Sequence, residues 1–257
     1  MKLSNWYDYP QYFDMVFRDE TAYEVDFFEA AFARYAIGPV RRLYEPGCGS
    51  GRLVVAMAAL GYEVCGLDLS KPSLSYLRRK LRRRGLTAEL VEGDMLGYQP
   101  AETIDAAFCT FNTFRHLLSE EAALTHLRSV ARSLRPGGIY ILGFHIIPLD
   151  ADEDCIERWR AKHGKTAVTT TLQVIDFNRD ERRERLRVTL TAKTEAKTIR
   201  CRTEFPLRLY THEEVEQLFQ QLPEYELIGI HDFDYAIDES RELDDDLTDA
   251  VFVLRKR

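Results

Sequence analysis

The hydrophobic and polar positions of the chain repeat with two different periods. Between positions 40 and 147, short apolar runs alternate with segments whose apolar residues recur every three or four positions. This alternation predicts parallel strands joined by helical crossovers, which is an α/β fold of the doubly wound type. Further along the chain the period becomes two, most clearly where Leu186, Val188 and Leu190 alternate with polar residues. That period predicts antiparallel strands.

The pattern divides the chain into four parts. They are an N-terminal helical segment, the α/β core, an antiparallel β insertion and the C-terminal part of the core, at residues 1–39, 40–149, 150–210 and 211–257 respectively. The N-terminal segment is rich in aromatic residues and contains an amphipathic pattern over 20–35. The insertion is predicted to begin with a polar helix over 150–163. A capping-box sequence at Thr211 predicts the last helix.

Residues 44–52 have the composition of a ligand cradle. Their sequence, Tyr-Glu-Pro-Gly-Cys-Gly-Ser-Gly-Arg, lies between a short apolar strand and an apolar helix. Glycine permits positive φ and close approach, so this turn exposes backbone N–H groups at a helix N-terminus. No lysine follows as a P-loop requires. Arg52 stands where the dinucleotide fingerprint needs its third glycine.

The resulting Glu-x-Gly-x-Gly-x-Gly pattern resembles the first motif of the class I S-adenosylmethionine-dependent methyltransferases. Two later stretches add to the resemblance, since Asp68 ends the second apolar run and the sequence from Leu90 to Met95 is similar to the family's third motif. The resemblance covers residues 40–147 well and the last forty-odd residues loosely. It implies a Rossmann-like, mostly parallel sheet with a terminal antiparallel hairpin, and S-adenosylmethionine as the cofactor. It also implies that the N-terminal helical segment, residues 1–39, is a lid that folds over the cofactor.

The resemblance also implies which residues bind the cofactor. Glu45 would reach the amino group of the methionine part, Asp68 would accept the ribose hydroxyls, Asp94 would meet the adenine amino group and Met95 would pack on the ring. The implied cofactor-binding residues are Glu45, Gly47, Cys48, Gly49, Gly51, Asp68, Leu69, Asp94, Met95, Phe111 and Asn112.

The sequence says less about the methyl acceptor than about the cofactor. Residues 111–116 lack the Asp/Asn-Pro-Pro-aromatic run of nucleobase amine methyltransferases and the Pro-Cys pair of cytosine C5 enzymes. They look like the corresponding segment of enzymes acting on small molecules, so we expect direct methyl transfer to a small-molecule nitrogen or oxygen. Candidate substrate contacts are Tyr12, His116, His145 and Tyr210. His145 leads them as a substrate contact or base because it ends a strand; the attacking atom and the need for a base stay open.

The composition of the chain restricts the classes of partner that we expect it to bind. The 257 residues include 35 basic and 42 acidic ones, a formal charge of −7, which offers no global field for nucleic acid. The start lacks an apolar signal core and no run is long enough to span a bilayer, so we expect a soluble cytoplasmic protein without a membrane partner. The five cysteines form no Cys-x-x-Cys pair, which indicates reduced thiols and no metal site.

The antiparallel β insertion has three possible roles on the sequence alone. It could cover the substrate mouth, form a homodimer contact or serve only as scaffold.

Two other functions stay open on the sequence. One is a catalytically idle regulatory protein that binds S-adenosylmethionine in the same cradle. The other is an NAD(P)-dependent oxidoreductase, which shares the fold type and the position of Asp68 but requires a different glycine spacing.

Overall fold

The computed structural model describes residues 5–148, 151 and 155–257. The α-helices of these residues are α1 (Pro10–Val16), α2 (Thr21–Tyr35), α3 (Arg52–Ala59), α4 (Lys71–Arg84), α5 (Glu120–Ser133) and α6 (His212–Gln220). The strands are β1 (Arg42–Pro46), β2 (Glu63–Asp68), β3 (Glu89–Glu92), β4 (Ile104–Cys109), β5 (Leu134–His145), β6 (Ile156–His163), β7 (Thr166–Asn178), β8 (Arg183–Lys193), β9 (Thr198–Arg208), β10 (Tyr225–Asp232) and β11 (Asp249–Lys256). None of these helices is both long and apolar enough to cross a membrane.

The central sheet has seven strands in the order β3-β2-β1-β4-β5-β11-β10. Strands β1 to β5 run parallel, whereas β11 pairs antiparallel with β5 and with β10. The predicted doubly wound sheet with a terminal antiparallel hairpin is therefore confirmed. The strand order reverses between β1 and β4, and open α/β sheets bind ligands outside the carboxyl ends of the strands at such a point.

Helices cover both faces of this sheet. On one face α5 and α6 pack through residues such as Leu127 and Leu218, and on the other α2, α3 and α4 pack through residues such as Phe28. Strand β4 is buried almost throughout its length. Strands buried on both faces need continuous apolar runs rather than alternation, which is why the sequence of the core reads as short unbroken hydrophobic stretches.

The helices begin and end at the capping residues that the sequence indicates. The Ser70 hydroxyl accepts a hydrogen bond from the Ser73 N–H at the start of α4, and Gly85 ends that helix at a φ of +66°. At α6 the Thr211 side chain and the Glu214 side chain bond reciprocally to each other's backbone N–H groups. The predicted capping box is confirmed.

The second sheet contains β6, β7, β8 and β9 in that order, all antiparallel. Val188 and Leu190 point into a hydrophobic cluster that also contains Trp6 and Tyr12 of the N-terminal segment. The alternation in β8 thus buries one face of the sheet under that segment.

The helix predicted over 150–163 is wrong where the structure describes it. Residues 156–163 form strand β6, which pairs with β7 from Ile156 opposite Gln173 to His163 opposite Thr166. An edge strand exposed on most of its surface has no strict apolar alternation, so its polar sequence fitted a helix equally well until the pairing with β7 decided between them. Position 150 and positions 152–154 lie outside the described residues.

Candidate active site

A cleft of 1910 Å³ opens at the carboxyl ends of β1, β2 and β4. Its walls come from the glycine turn, the ends of the parallel strands, the N-terminal segment and the facing side of the antiparallel sheet. Ligand pockets commonly enclose about 300–1,000 Å³. The cleft therefore has room for two ligands side by side.

The glycine turn combines two tightly packed glycines with an open one. Gly47, Gly49 and Gly51 have φ values of +69°, +53° and +70°. A Cβ on Gly47 would lie 2.3 Å from the Thr113 side chain, and one on Gly51 would lie 2.2 Å from Leu77. A Cβ on Gly49 would meet nothing within 4 Å. The outer glycines are needed for packing, while Gly49 keeps free space above the turn where a ligand can approach the backbone.

Asp68 joins the end of β2 to this turn. Its two carboxylate oxygens accept hydrogen bonds from the N–H groups of Gly49 and Ser70, each at 2.7 Å. Burial raises the pKa of the Asp68 carboxyl, although these two hydrogen bonds act in the opposite direction. Asp68 also lines the cleft. Because a carboxylate has about four acceptor sites, it can accept further hydroxyl groups while it holds the turn.

Glu45, at the end of β1, is a buried acceptor with one oxygen that lacks a hydrogen-bond partner. Its side chain lines the cleft and is 8% exposed, and its Oε2 atom has no hydrogen-bond partner among the described residues. Burial raises the pKa of this carboxyl well above the usual range. Buried carboxylates are stable only when they are paired or protonated, so Glu45 is suited to receive a cation.

Arg52 is buried beneath the turn rather than exposed to solvent. It forms an ion pair with Glu24 of α2, and its guanidinium carbon lies 5.3 Å from the centre of the Phe111 ring. Glu24 also accepts a hydrogen bond of 2.7 Å from Thr110 at the end of β4. This network, which connects α2, the turn and β4, was not found from the sequence. The sequence feature that could have indicated this network is the position of Glu24, which shares the buried face of α2 with Phe28.

Asp94 and Met95 follow β3 and line the cleft. The Asp94 carboxylate accepts a hydrogen bond of 2.9 Å from the Leu96 N–H. The Met95 carbonyl accepts one of 2.7 Å from His126, whose second ring nitrogen lies 2.8 Å from the Tyr140 hydroxyl. Burial lowers the pKa of His126 to about 4, so the ring is neutral and fixes the Met95 backbone. Sequence reasoning missed His126.

The end of β4 turns through two residues with left-handed backbone. Phe111 and Asn112 have φ values of +64° and +66°, which is uncommon for residues other than glycine and concentrates at functional sites. The Asn112 side chain accepts a hydrogen bond of 2.9 Å from the His145 N–H. The Phe111 ring lies 4.8 Å from that of Phe17, which is 5.5 Å from Trp159. An aromatic layer from three parts of the chain therefore covers this end of β4.

The cleft brings together all eleven sequence-predicted cofactor residues except Gly51. The other ten line it, with Leu69 at an exposed rim position, whereas Gly51 packs against Leu77 beneath the turn. The Cys48 thiol is buried, and burial raises its pKa well above the usual range. It is therefore a packing group rather than a reactive one.

The four predicted substrate contacts separate into two pairs. His116 and His145 line the cleft. Tyr12 and Tyr210 are instead buried in hydrophobic clusters, Tyr12 against the antiparallel sheet and Tyr210 between Phe114 and Phe144. The structure thus disagrees with a substrate role for the two tyrosines, because the turns of α1 and of the chain after β9 direct them into the core.

Other N-terminal side chains reach the cleft in place of Tyr12. Trp6, Tyr7 and Phe17 line it. The stacking of α1 on the antiparallel sheet decides which aromatic residues face the cleft. The aromatic composition alone did not distinguish them.

A buried ion pair attaches the antiparallel sheet to the core. Arg115 follows β4, is 2% exposed and pairs with Glu184 of β8. Its Nε also donates a hydrogen bond of 2.8 Å to the Arg208 carbonyl. Burial lowers the pKa of Arg115, and the carboxylate of Glu184 counteracts that effect. Both residues line the cleft, and neither was predicted from the sequence because the ion pair exists only in the folded chain.

Residues 44–138 match the family described as "Methyltransferase domain". The match contains the glycine turn, Asp68, Asp94 and the end of β4. Over these residues the chain is therefore similar to a methyltransferase domain.

One curated relative is similar to part of the chain. The cypemycin N-terminal methyltransferase of Streptomyces sp is 36% identical over 102 residues, which cover 40% of this chain and 41% of the relative. The chain therefore spans about two fifths of the length of that curated relative.

Two solved structures share the fold of nearly the whole chain. Streptomyces venezuelae DesVI has a TM-score of 0.76 and 18% identity, covering 93% of this chain and 92% of its own. The second is CalS10 with bound S-adenosylmethionine, an amino pentose methyltransferase from Micromonospora echinaspora. It has a TM-score of 0.69 and 20% identity, covering 93% of this chain and 91% of its own.

Proposed function

We propose that the protein is an S-adenosylmethionine-dependent methyltransferase that transfers the methyl group directly to a nitrogen or oxygen of a small molecule. The observation that carries the proposal is that one cleft contains both an open glycine turn and the buried carboxylate of Glu45, whose Oε2 atom has no hydrogen-bond partner among the described residues. A ligand that is cationic at one end and approaches the backbone closely satisfies both features.

The residues of the cleft fit the parts of this cofactor. Glu45 would hold the ammonium group of the methionine part, which would supply the missing partner of its Oε2 atom. The space above Gly49 would take the methionine backbone. Asp68 would accept the ribose hydroxyls, and Asp94 and Met95 would contact the adenine. The carboxylates of Glu45, Asp68 and Asp94 lie at or just beyond the carboxyl ends of the neighbouring strands β1, β2 and β3. One elongated ligand could therefore contact all three.

The protein mainly positions the reactants and excludes water. When bound, S-adenosylmethionine supplies an electrophilic methyl group on sulfur, and the electrons of the broken carbon–sulfur bond stay on the sulfur. The aromatic layer of Phe111, Phe17 and Trp159 would shield the reacting atoms from solvent. Fixing the acceptor against the cofactor contributes much of the acceleration in such transfers.

A small-molecule acceptor is supported by the shape of the cleft. The part of the cleft wall on the antiparallel sheet includes Leu172, Val188 and Phe205, together with Thr170, whose buried hydroxyl has no hydrogen-bond partner among the described residues. Such a surface suits an apolar body with few polar groups. CalS10 is described as an amino pentose methyltransferase. We therefore propose a nitrogen atom of a small molecule as the first class of acceptor to test with this protein.

The proposal is tested by calorimetry followed by product analysis. We expect S-adenosylmethionine to bind to the purified protein and its deuterated methyl group to appear, by mass spectrometry, on a member of a panel of amino sugars, aryl-alkyl amines and phenols. Binding without any product would favour the catalytically idle alternative. Nicotinamide fluorescence enhancement with no S-adenosylmethionine binding would favour the oxidoreductase.

Cofactor binding at mildly acidic pH is expected to release protons from Glu45. Burial raises the pKa of this carboxyl well above the usual range, which favours its protonated form before the cofactor binds. A bound ammonium group stabilises the ionised form and expels that proton. Calorimetry at about pH 6 in buffers of different ionisation enthalpy measures the release, which Glu45→Gln should diminish. Equal release in both proteins would contradict the assignment of Glu45.

The same raised pKa has a consequence for the cofactor-free protein. Between the ordinary pKa of 4.5 and the raised value, the folded state holds a proton that the unfolded chain has lost. Stability therefore falls as pH rises through this window. Glu45→Gln removes this contribution and serves as the internal control for the pH dependence of unfolding.

A further inference from the structure

A hydrogen-bonded imidazole and carboxylate lie in the cleft beyond the residues assigned to the cofactor. They are His145 and Asp249, and both line the cleft. We propose that His145 is the general base that takes the proton from the methyl acceptor and that Asp249 is its positioning residue. This inference rests on the proposed methyl transfer and identifies the group that receives the acceptor's proton.

The pairing of two strands places this pair. His145 is the last residue of β5 and Asp249 the first of β11, and the antiparallel register sets them directly opposite each other. Side chains at opposite positions have Cβ atoms about 5 Å apart, so the two groups meet without bending either strand. An ionised carboxylate only accepts hydrogen bonds, so Nδ1 of His145 carries the proton that Asp249 accepts. Nε2 is then left as an acceptor.

A second contact joins His145 to the end of β4. Its backbone N–H donates a hydrogen bond of 2.9 Å to the side chain of Asn112, which lies on the left-handed turn beside Phe111. The His145 ring packs 5.3 Å from that of Phe233, another cleft residue. The side chain is still 36% exposed. The imidazole is thus held on two sides while solvent or an acceptor can reach it.

His116, the other histidine of the cleft, is less suited to take up a proton. Burial and the neighbouring Arg115 both lower its pKa. Its ring lies 5.2 Å from Phe205. In the part of the chain that the structure describes, no carboxylate is hydrogen-bonded to the His116 ring. A positive charge there would be unsupported, whereas Asp249 would stabilise the imidazolium of His145.

The same proton transfer to His145 serves an amine acceptor and a hydroxyl acceptor. An N–H bond of an ammonium group, or the O–H bond of a hydroxyl, breaks and leaves its electron pair on the acceptor atom. The proton forms a bond to Nε2 of His145, and the freed pair is the nucleophile for the methyl group. The proton then leaves to solvent through the exposed part of the ring.

The first test measures the tautomer and needs no acceptor. In ¹⁵N-histidine-labelled protein with and without S-adenosylmethionine, NMR at alkaline pH should show Nδ1 of His145 protonated and Nε2 unprotonated. The absence of one signal in His145→Gln assigns the resonance. Asp249→Ala should lose the preference for this tautomer. A wild-type ring protonated mainly on Nε2 would overturn the proposal, whatever the acceptor is.

The second test uses the first panel compound that accepts a methyl group. His145→Ala should lower kcat by about 10²- to 10⁴-fold, the usual contribution of a general base, while the Kd for S-adenosylmethionine changes by less than about twofold. Added imidazole should restore part of the activity of His145→Ala, which a structural role would not allow. Asp249→Ala should lower kcat less than His145→Ala does.

The matched control is Arg255→Gln on the same hairpin. Arg255 forms an exposed ion pair of 2.8 Å with Glu226, and its loss should leave kcat unchanged. If His145→Ala keeps kcat within about threefold of the wild type, the base assignment is wrong and the methyltransferase proposal stands. If the wild type binds the cofactor but methylates no compound, the methyltransferase proposal fails and the base assignment fails with it.

Discussion

Replacement of Asp68 by alanine is expected to weaken S-adenosylmethionine binding by about 100-fold or more, because hydrogen bonds to a charged group contribute about 1.5–3 kcal/mol each and the ribose has two hydroxyls. The carboxylate also holds the glycine turn through the N–H groups of Gly49 and Ser70. Its loss therefore removes a ligand contact and loosens the turn. Calorimetry of the variant gives the change in Kd, and an unchanged Kd would refute the ribose assignment.

Asp105→Ala is the matched control for this prediction. One oxygen of Asp105 also accepts two backbone hydrogen bonds, from the N–H groups of Arg41 and Arg42 at 2.9 Å each. This carboxylate lies near the start of β4, at the opposite edge of the sheet from the cleft. Asp105→Ala should lower the melting temperature and leave the Kd for S-adenosylmethionine unchanged. A comparable loss of affinity in both variants would mean that Asp68 acts only through general stability.

Replacement of Arg115 by methionine is expected to destabilise the protein by about 3–5 kcal/mol, because it leaves Glu184 buried without its partner. For a chain of this size, each kcal/mol lowers the melting temperature by about 2–4 °C. Scanning calorimetry should therefore show a decrease of roughly 6–20 °C. The double variant Arg115→Met with Glu184→Met should recover most of the loss, since it removes the uncompensated charge.

Lys165→Met gives the comparison for an ion pair of the same sheet. Lys165 pairs with Glu195, and both side chains are more than half exposed. Exposed pairs contribute on the order of 0.5 kcal/mol, so the melting temperature should hardly change. If Arg115→Met behaves like Lys165→Met, the buried pair does not secure the antiparallel sheet to the core.

Local sequence carried enough information for the elements of the core and for the cofactor side of the cleft. Asp68 is the last residue of β2, and Gly49 and Asp94 lie just beyond the ends of β1 and β3. Such positions are visible in the sequence because apolar runs end there. The helix starts at Ser70 and Thr211 were equally visible, since a cap is a contact between residues three positions apart.

The acceptor side of the cleft depended on contacts between distant residues. Tyr12 and Tyr210 have the chemistry of substrate contacts, but packing turns both into the core. The ion pair of Glu24 with Arg52 joins positions 28 residues apart, and that of Arg115 with Glu184 joins positions 69 apart. No local period encodes such partners, so the sequence could not indicate them.

By itself, the sequence determined the α/β class, the glycine turn and the carboxylates at the ends of the parallel strands, because each depends on residues close together in the chain. Only the tertiary structure decided that residues 156–163 form a strand, which aromatic side chains face the cleft and that His145 meets Asp249. These features depend on strand pairing and on packing between distant segments. Their free energy arises from contacts that exist only once the chain has folded.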